Sequence, residues 1–310
     1  MTALVASVGG DFQTVLDAVA LGAIYALMAV GIGLVFGVLR LVNFAYGQLI
    51  MAGAYTLALT SGQSTVISIL ACFGVVLGLA LAMELVAFRR LRTASPSTML
   101  VATFAISFLL QSVAIVKFGA IGKFDGVLQQ WRQPVRIGDL HVAKITIVAV
   151  VVGVVALAAL ALLLERTTIG LEMRAAAADF QTSRLLGVKA NSIIAVAVLL
   201  SGVLAATVAV ILPVSQSPLI TPDYALRETI LVLVGVVVGG IDRLWSATIG
   251  GFAIGFATGL LGGFLPSVGS WPFTSGVYLD SAVFALVILV LLLRPEGLFA
   301  PRGHTSAERV

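Results

Sequence analysis

Three neutral polar side chains lie close together in an apolar stretch of the sequence. Asn43, Tyr46 and Gln48 fall within residues 41–60, where most neighbours are apolar or small. Such side chains can exchange hydrogen bonds with a small zwitterion or amide that passes along the stretch. They can also bond a neighbouring helix, where each bond is worth about 0.6–2 kcal/mol. The sequence leaves both roles open, and it predicts that 41–60 is either a crossing or a broken, re-entrant segment.

Catalytic motifs are missing from the 310 residues. The sequence contains no G-x-x-x-x-G-K-[ST] phosphate loop, no G-x-S-x-G nucleophile elbow and no H-E-x-x-H pair. The histidines, His141 and His304, lie in separate polar segments, and Cys72 is the single cysteine. We therefore predict a protein that is not an enzyme, holds no metal ion and binds no cofactor itself.

The segment 165–191 is a long polar segment with a helical pattern. Its apolar residues, such as Leu171 and Met173, alternate with polar ones, namely Glu172, Arg174, Asp179, Gln181 and Arg184. This spacing predicts an amphipathic helix that ends at Gly187. A helix of this kind can dock a partner protein or lie on the lipid surface. The polar face has no stripe of lysine and arginine, which favours docking.

Glycines recur at a spacing of four along the chain. The longest series lies in one apolar run and comprises Gly251, Gly255, Gly259 and Gly263. This spacing aligns the glycines on one helix face, where another backbone can approach closely. Shorter series repeat it at Gly33/Gly37, Gly74/Gly78 and Gly235/Gly239. We interpret them as helix-packing positions, with a glycine-lined path for a solute as the alternative.

Composition identifies the environment in which these elements fold. Hydrophobic residues make up 60% of the chain and charged residues 10%, whereas soluble domains carry about 25% charged residues. Apolar runs suited to a helical crossing, which takes about 20 residues, occur at 14–38, 41–60, 65–87, 98–119, 143–164, 192–212, 228–246, 247–265 and 279–293. The sequence predicts an all-α polytopic membrane protein with eight or nine transmembrane helices in a single domain, 1–310.

Basic residues orient the predicted crossings. Arg89, Arg90 and Arg92 follow the third run, Arg166 to Lys189 the fifth, and Arg294 the ninth. The positive-inside rule places these residues in the cytoplasm, so the N-terminus lies outside and the C-terminus inside. The segment 165–191 is then cytoplasmic. Because the basic residues form no stripe, the net charge of +4 does not indicate nucleic-acid binding.

Ionisable residues are nearly absent from the centres of the apolar runs. Glu84 and Lys117 each lie within about one helical turn of a run end, where a long side chain reaches the interface. Ion-coupled carriers keep central charges although each costs at least about 2.5–3.5 kcal/mol. The pattern disfavours a self-sufficient secondary transporter or channel, which stays as the alternative. It indicates that a partner supplies the energy.

Three stretches carry a family resemblance. They are GIGLVFGVLRLVNFAYGQLIMAGAY at 31–55, TIGLEMRAAAADFQTSRLLGV at 168–188 and LVLLLRPEGLF at 289–299. In this order and spacing they resemble the permease subunits of branched-chain amino acid ABC transporters, the LivH-type family. The resemblance covers nearly the whole chain.

The resemblance implies a multi-pass permease in the inner membrane of a bacterium. Two permease subunits, identical or homologous, would form the path of an importer for amino acids or similar small polar solutes such as urea or a short amide. Two cytoplasmic ATP-binding subunits would use ATP, and a periplasmic solute-binding protein would deliver the solute. The segment 165–191 would then be the cytoplasmic coupling segment that the ATP-binding subunits contact.

This sequence departs from the family pattern at two places. The family's ATPase-contacting helix has a pattern like Glu-Ala-Ala, followed by Gly. Here Gln181 replaces the acidic residue, while Gly187 and the spacing are kept. The family commonly has His where this chain has Tyr46 and an acidic residue where it has Gln48. Both of these changes remove a titratable group.

Overall fold

Six helices in the described part of the chain are long and apolar enough to cross a membrane. They are Phe12–Leu39, Thr65–Leu91, Ser97–Phe118, Lys144–Arg166, Asn191–Ser215 and Leu244–Gly263. The computed structural model describes residues 2–40, 42–91, 94–137, 140–185, 189–240, 243–264 and 279–293. Of the predicted all-α polytopic protein with eight or nine transmembrane helices, the mostly helical, multi-pass architecture is confirmed.

Twelve α-helices and four short strands follow one another in the described residues. They are α1 (Thr2–Leu39), α2 (Tyr46–Leu59), α3 (Thr65–Met83), α4 (Arg89–Leu91), α5 (Pro96–Phe118), β1 (Lys123–Phe124), β2 (Pro134–Ile137), β3 (Leu140–Ala143), α6 (Lys144–Arg166), α7 (Thr168–Ala178), α8 (Phe180–Leu185), α9 (Ala190–Ser215), β4 (Leu219–Ile220), α10 (Leu226–Gly239), α11 (Leu244–Phe264) and α12 (Leu279–Leu293). A π-helical turn, Glu84–Phe88, joins α3 to α4.

Two helices, α2 and α10, are shorter than the apolar runs predict. Each has 14 residues, whereas a crossing takes about 20. Helix α12 has 15 residues, and its bounds are those of the predicted run 279–293. Residues 42–45 before α2 and 221–225 before α10 are not helical. Ala225, which precedes α10, has a left-handed backbone with φ of 63°. The non-helical residues 42–45 agree with the predicted alternative of a broken segment at 41–60, and Pro222 and Asp223 lie in the stretch before α10.

Helix α1 lies at the centre of the bundle. The apolar part of α1 is 83% buried, against 28% for α3, 22% for α5 and 17% for α6. Helices α6, α9, α10 and α11 all pack on α1. The end of the bundle near Phe12 is called here the Phe12 end, and the opposite one the Arg40 end.

Two short β-pairings cover the Phe12 end. Strand β1 pairs with β4, which places Lys123 opposite Ile220. Strands β2 and β3 form a hairpin in which Pro134 lies opposite Ala143. The sequence predicts only a polar connection for 121–141, because strands of two to four residues leave no readable alternation of polar and apolar residues. The fold is therefore mostly helical rather than purely α.

Candidate translocation site

Helices α2 and α10 begin beside each other inside the bundle. A Cβ atom placed on Gly47 would lie 2.5 Å from Thr229 Oγ1 and 2.9 Å from the Ala225 carbonyl oxygen. The hydroxyl of Tyr46 packs against Gly31 of α1, eight residues or about 12 Å from the end of that helix. The first turns of both short helices therefore lie within the length of α1.

The two short helices run in opposite directions from this junction. Tyr55, late in α2, stacks on Phe118 at the end of α5, with ring centroids 4.8 Å apart. Gly239, at the end of α10, packs against Ser246 near the start of α11. Helix α2 thus runs toward the Phe12 end and α10 toward the Arg40 end. The N-terminal ends of α-helices carry partial positive charge, and here two of them meet.

Asn43 starts the turn that leads into α2. Its side-chain Oδ1 accepts a hydrogen bond from the Ala45 backbone N–H at 3.1 Å, and only 2% of the residue is exposed. Asparagine commonly makes this bond, because its short side chain reaches the backbone two residues on. Asn43 therefore has a structural role at the junction.

Tyr46 and Gln48 are completely buried, and their polar atoms are not satisfied. The Tyr46 hydroxyl and both polar atoms of the Gln48 amide have no hydrogen-bond partner in the described part of the chain. A buried polar group without a partner costs about 1–3 kcal/mol. Neither side chain bonds a neighbouring helix, so the described residues give no support to the role of interhelical bonds. Both keep their hydrogen-bonding capacity unused by the fold.

The predicted coupling segment forms two helices rather than one. Helix α7 begins after Thr167, whose side chain accepts a hydrogen bond from Gly170 N–H at 3.0 Å. Asp179 is extended, and its carboxylate accepts bonds from the backbone N–H and hydroxyl of Thr182. Because Asp at this position caps a new helix, the single predicted helix divides there.

The other predicted coupling residues are distributed over both helices. Glu172 and Arg174 belong to α7, where Glu172 is half-buried and Arg174 is exposed. Gln181 and Arg184 belong to α8, and Gly187 lies outside the described residues. Arg40 Nη2 donates a hydrogen bond to the Ala177 carbonyl at 2.7 Å. This bond connects the last turn of α7 to the end of α1.

The four glycines of α11 all face α1. A Cβ atom on Gly255 would lie 2.8 Å from the Leu21 carbonyl oxygen, and one on Gly259 would lie 2.5 Å from Ala18 Cα. Gly251 and Gly263 contact the neighbouring turns of α1, at Ala29 and Thr14. The two helices are antiparallel, and their backbones approach closely along the whole series.

A cavity at the Phe12 end has opposite charges on its walls. It has a volume of about 310 Å³, and its lining includes Asp17 of α1, Thr146 of α6 and Arg132. The Asp17 carboxylate accepts a hydrogen bond from the Thr146 hydroxyl at 3.0 Å. The Arg132 guanidinium donates to the carbonyls of Val214 and Gln216, at 2.9 and 2.8 Å. The sequence did not connect these residues, because they lie far apart in the chain.

A second acidic residue near this end is buried. Asp125 is 1% exposed, and its Oδ1 accepts a hydrogen bond from Val127 N–H at 2.9 Å, whereas Oδ2 has no partner in the described residues. Burial raises the pKa of the Asp125 carboxyl, and the Val127 bond opposes the shift.

Glu84 is also buried, at 2% exposed, on the π-helical turn. The expectation that Glu84 reaches the interface was therefore wrong.

The chain is similar to known permeases over nearly its full length. The high-affinity branched-chain amino acid transport system permease protein BraD of Pseudomonas aeruginosa is 28% identical over 312 residues, which cover 96% of this chain and 97% of BraD. The corresponding LivH of Escherichia coli strain K12 has the same identity and coverage. Among solved structures, PsaBC from Streptococcus pneumoniae in complex with Fab has a TM-score of 0.50 at 13% identity, over 91% of this chain and 92% of that one. That likeness concerns the fold alone.

The family described as branched-chain amino acid transport system / permease component matches residues 14–293. Apart from the first two residues of Phe12–Leu39, the match includes every long apolar helix of the described bundle, and it also includes the α2–α10 junction and the segment 165–191. This chain is therefore a member of the branched-chain amino acid transport permease family.

Proposed function

We propose that this chain is a membrane-spanning subunit of an ABC importer for branched-chain or related amino acids. Relatives that match over their whole length are named as permeases of branched-chain amino acid transport. A similar small polar solute, such as urea or a short amide, would suit the same path. The chain itself catalyses no reaction and binds no cofactor, because separate subunits use the ATP.

The proposed assembly contains two permease subunits, identical or homologous, and two cytoplasmic ATP-binding subunits. A periplasmic solute-binding protein delivers the solute. The assembly lies in the inner membrane of a bacterium, with the N-terminus of this chain outside and its C-terminus inside. Helices α2, α10 and α12 complete the eight or nine membrane segments. The Arg40 end is then cytoplasmic and the Phe12 end periplasmic.

The α2–α10 junction is the observation that carries the proposed path. Two helix N-termini meet inside the bundle, and Tyr46 and Gln48, both in the first turn of α2, keep unused hydrogen-bonding atoms. In transporters, helix N-termini within the membrane face the anionic groups of their substrates. A solute carboxylate suits the helix ends, and its other polar atoms suit the neutral side chains. Asn43 holds the turn that positions them.

The cavity at the Phe12 end supports a zwitterionic solute. An amino acid carries an ammonium and a carboxylate group, and this cavity presents the Asp17 carboxylate and the Arg132 guanidinium. A carboxylate accepts bonds from an ammonium, while a guanidinium binds a carboxylate. Because this end is periplasmic in the proposed orientation, the cavity lies where the solute enters.

Helices α7 and α8 transmit the force in this proposal. The Arg40 bond to the Ala177 carbonyl joins α7 to α1, and α1 in turn packs on α11 through the glycine series. A push on the segment 165–191 by an ATP-binding subunit therefore reaches the central helix directly. A helix pair that merely rests on lipid would not need this bond.

Co-purification tests the assembly. The tagged chain is extracted from its native membrane in a gentle detergent, and the proteins that accompany it are identified by mass spectrometry. We expect an ATP-binding subunit and a second permease. Reconstituted into liposomes, the assembly should take up leucine only with ATP. Uptake by the chain alone, driven by an ion gradient, would favour the secondary transporter.

The variant Tyr46→Phe tests the path. It removes a hydroxyl without a partner, so thermal stability should not fall, while leucine uptake by the assembly should fall about twofold to tenfold if the hydroxyl bonds the solute. Tyr55→Phe is the matched control, because its hydroxyl is also unpartnered and lies further along α2. Equal uptake by both variants would remove Tyr46 from the path. A loss of stability would assign its hydroxyl to packing.

A further inference from the structure

A large cavity opens between the helices at the Arg40 end. Its volume is about 570 Å³, and α1, α6, α7 and α11 form its walls. The deep part is apolar, with Val30 and Leu34 of α1 facing Leu157 and Leu160 of α6. The charged residues of the lining lie at one end of the cavity only, and they are Arg40, Glu165 and Arg174.

The length of this cavity matches one leaflet of a membrane. Along α1 it extends from Val30 to Arg40, ten residues or about 15 Å at 1.5 Å per residue. The hydrocarbon core of a bilayer is about 30 Å thick, so the apolar part spans about half of it. Trp245, 64% exposed, lies in the same lining, and tryptophan concentrates at membrane interfaces. The cavity thus has the polarity profile of a single phospholipid.

The charges at the mouth favour an anionic headgroup. Two guanidinium groups and one carboxylate line it, and Arg174 is exposed. Basic pockets between membrane helices bind anionic lipid headgroups, and guanidinium binds phosphate oxygens well. A zwitterionic headgroup carries a positive group besides its phosphate, and that positive group would be repelled by the net positive charge at the mouth.

We propose that this cavity binds one anionic phospholipid, with an acyl chain between α1 and α6 and its phosphate at Arg40 and Arg174. The lipid then touches Met173 and Ala177 of α7, the helix that Arg40 ties to α1. A bound lipid fills the gap behind α7 and restrains its movement relative to the bundle. This inference does not depend on which solute the protein carries.

Native mass spectrometry of the full-length protein tests the proposal. The protein is reconstituted in vesicles of equal parts phosphatidylglycerol and phosphatidylcholine, extracted again, and analysed for retained lipid. We expect phosphatidylglycerol in excess at one molecule per chain. Equal retention of both lipids would overturn the proposal, and so would displacement of the lipid by excess inorganic phosphate, which would indicate a soluble anion.

Two variants with matched controls locate the lipid. Arg174→Gln should lower phosphatidylglycerol retention about fivefold, from about 1 kcal/mol for each basic residue near a headgroup. Arg166→Gln removes an equal charge from an exposed residue outside the lining. Gly37→Leu fills the cavity, since a Cβ atom on Gly37 meets nothing within 4 Å, and Gly74→Leu makes the same change in open space on α3. The proposed site would be wrong if Arg174→Gln retained as much phosphatidylglycerol as Arg166→Gln, or if Gly37→Leu retained as much as Gly74→Leu.

Discussion

Helices α11 and α3 carry glycines at the same spacing but use them in opposite ways. In α11 the series faces α1, and an added side chain would meet the backbone of α1 at Gly251, Gly255 and Gly259 and the Thr14 side chain at Gly263. In α3, Gly74 and Gly78 have nothing within 4 Å of an added Cβ atom in the described structure. The spacing of four aligns small residues on a helix face, but it does not say whether a neighbour arrives there.

The same contrast separates the inner helices from the outer ones. Helix α1 is largely buried within the chain, whereas α3, α5 and α6 expose most of their apolar parts. Exposed residues such as Leu70, Phe108 and Val154 suit either hydrocarbon or the apolar face of another subunit. The inner helices bury their apolar surface against other helices of this chain, whereas the apolar surface of the outer helices is left for lipid or another subunit to cover.

The largest predicted effect distinguishes the two glycine series. In Gly255→Leu, the new side chain collides with the Leu21 carbonyl and with Tyr25 of α1, and backbone cannot move aside as a side chain can. We expect a loss of about 3 kcal/mol in the free energy of unfolding, the upper end for an overpacked site, seen as little folded protein on size-exclusion chromatography. Gly78→Leu should keep the wild-type Tm or raise it, because leucine is a better helix former than glycine by about 0.5–1 kcal/mol. Equal loss of stability in Gly255→Leu and Gly78→Leu would show that the two glycine series do not differ in packing.

The glycine spacing also illustrates how much the sequence could predict. Six of the nine predicted apolar runs correspond to helices long and apolar enough to cross a membrane, since burying backbone in lipid requires continuous helices. A break within 41–60 is one of the two predicted alternatives, whereas the division at Asp179 and the burial of Glu84 depend on local capping and on tertiary contacts. The presence of Asp17 and Arg132 in the lining of one cavity requires the folded chain, because no local pattern brings them together.

A smaller effect concerns Asp125, a buried group outside the membrane helices. Its raised pKa means that it favours the folded state at pH values below its ordinary pKa of about 3.9 and that this contribution is lost as the pH rises through the raised pKa. Asp125→Asn keeps an oxygen for Val127 N–H but does not ionise. We expect its Tm to exceed that of the wild type by a few degrees near neutral pH, and the two to converge in acid. Parallel Tm curves between pH 4 and 7 would contradict this.

The smallest effect lies in α8, which packs chiefly on α7 in the described part of the chain. Asp179→Ala removes the side chain that caps α8 and should cost about 1 kcal/mol locally, without a change in the Tm of the bundle. Hydrogen exchange of the α8 amides should then accelerate about fivefold, while exchange in α1 stays the same.

Asp179→Asn separates the cap from the charge, because asparagine caps a helix about as well as aspartate. We expect it to restore slow exchange in α8. If this variant still recruits ATP-binding subunits poorly, the carboxylate itself contacts the partner. If it recruits them normally while Asp179→Ala does not, the geometry of α8 is what the partner recognises. Acceleration that spreads into α1 would mean that α8 is part of the packed interior, and the contrast between surface and interior would then fail at α8.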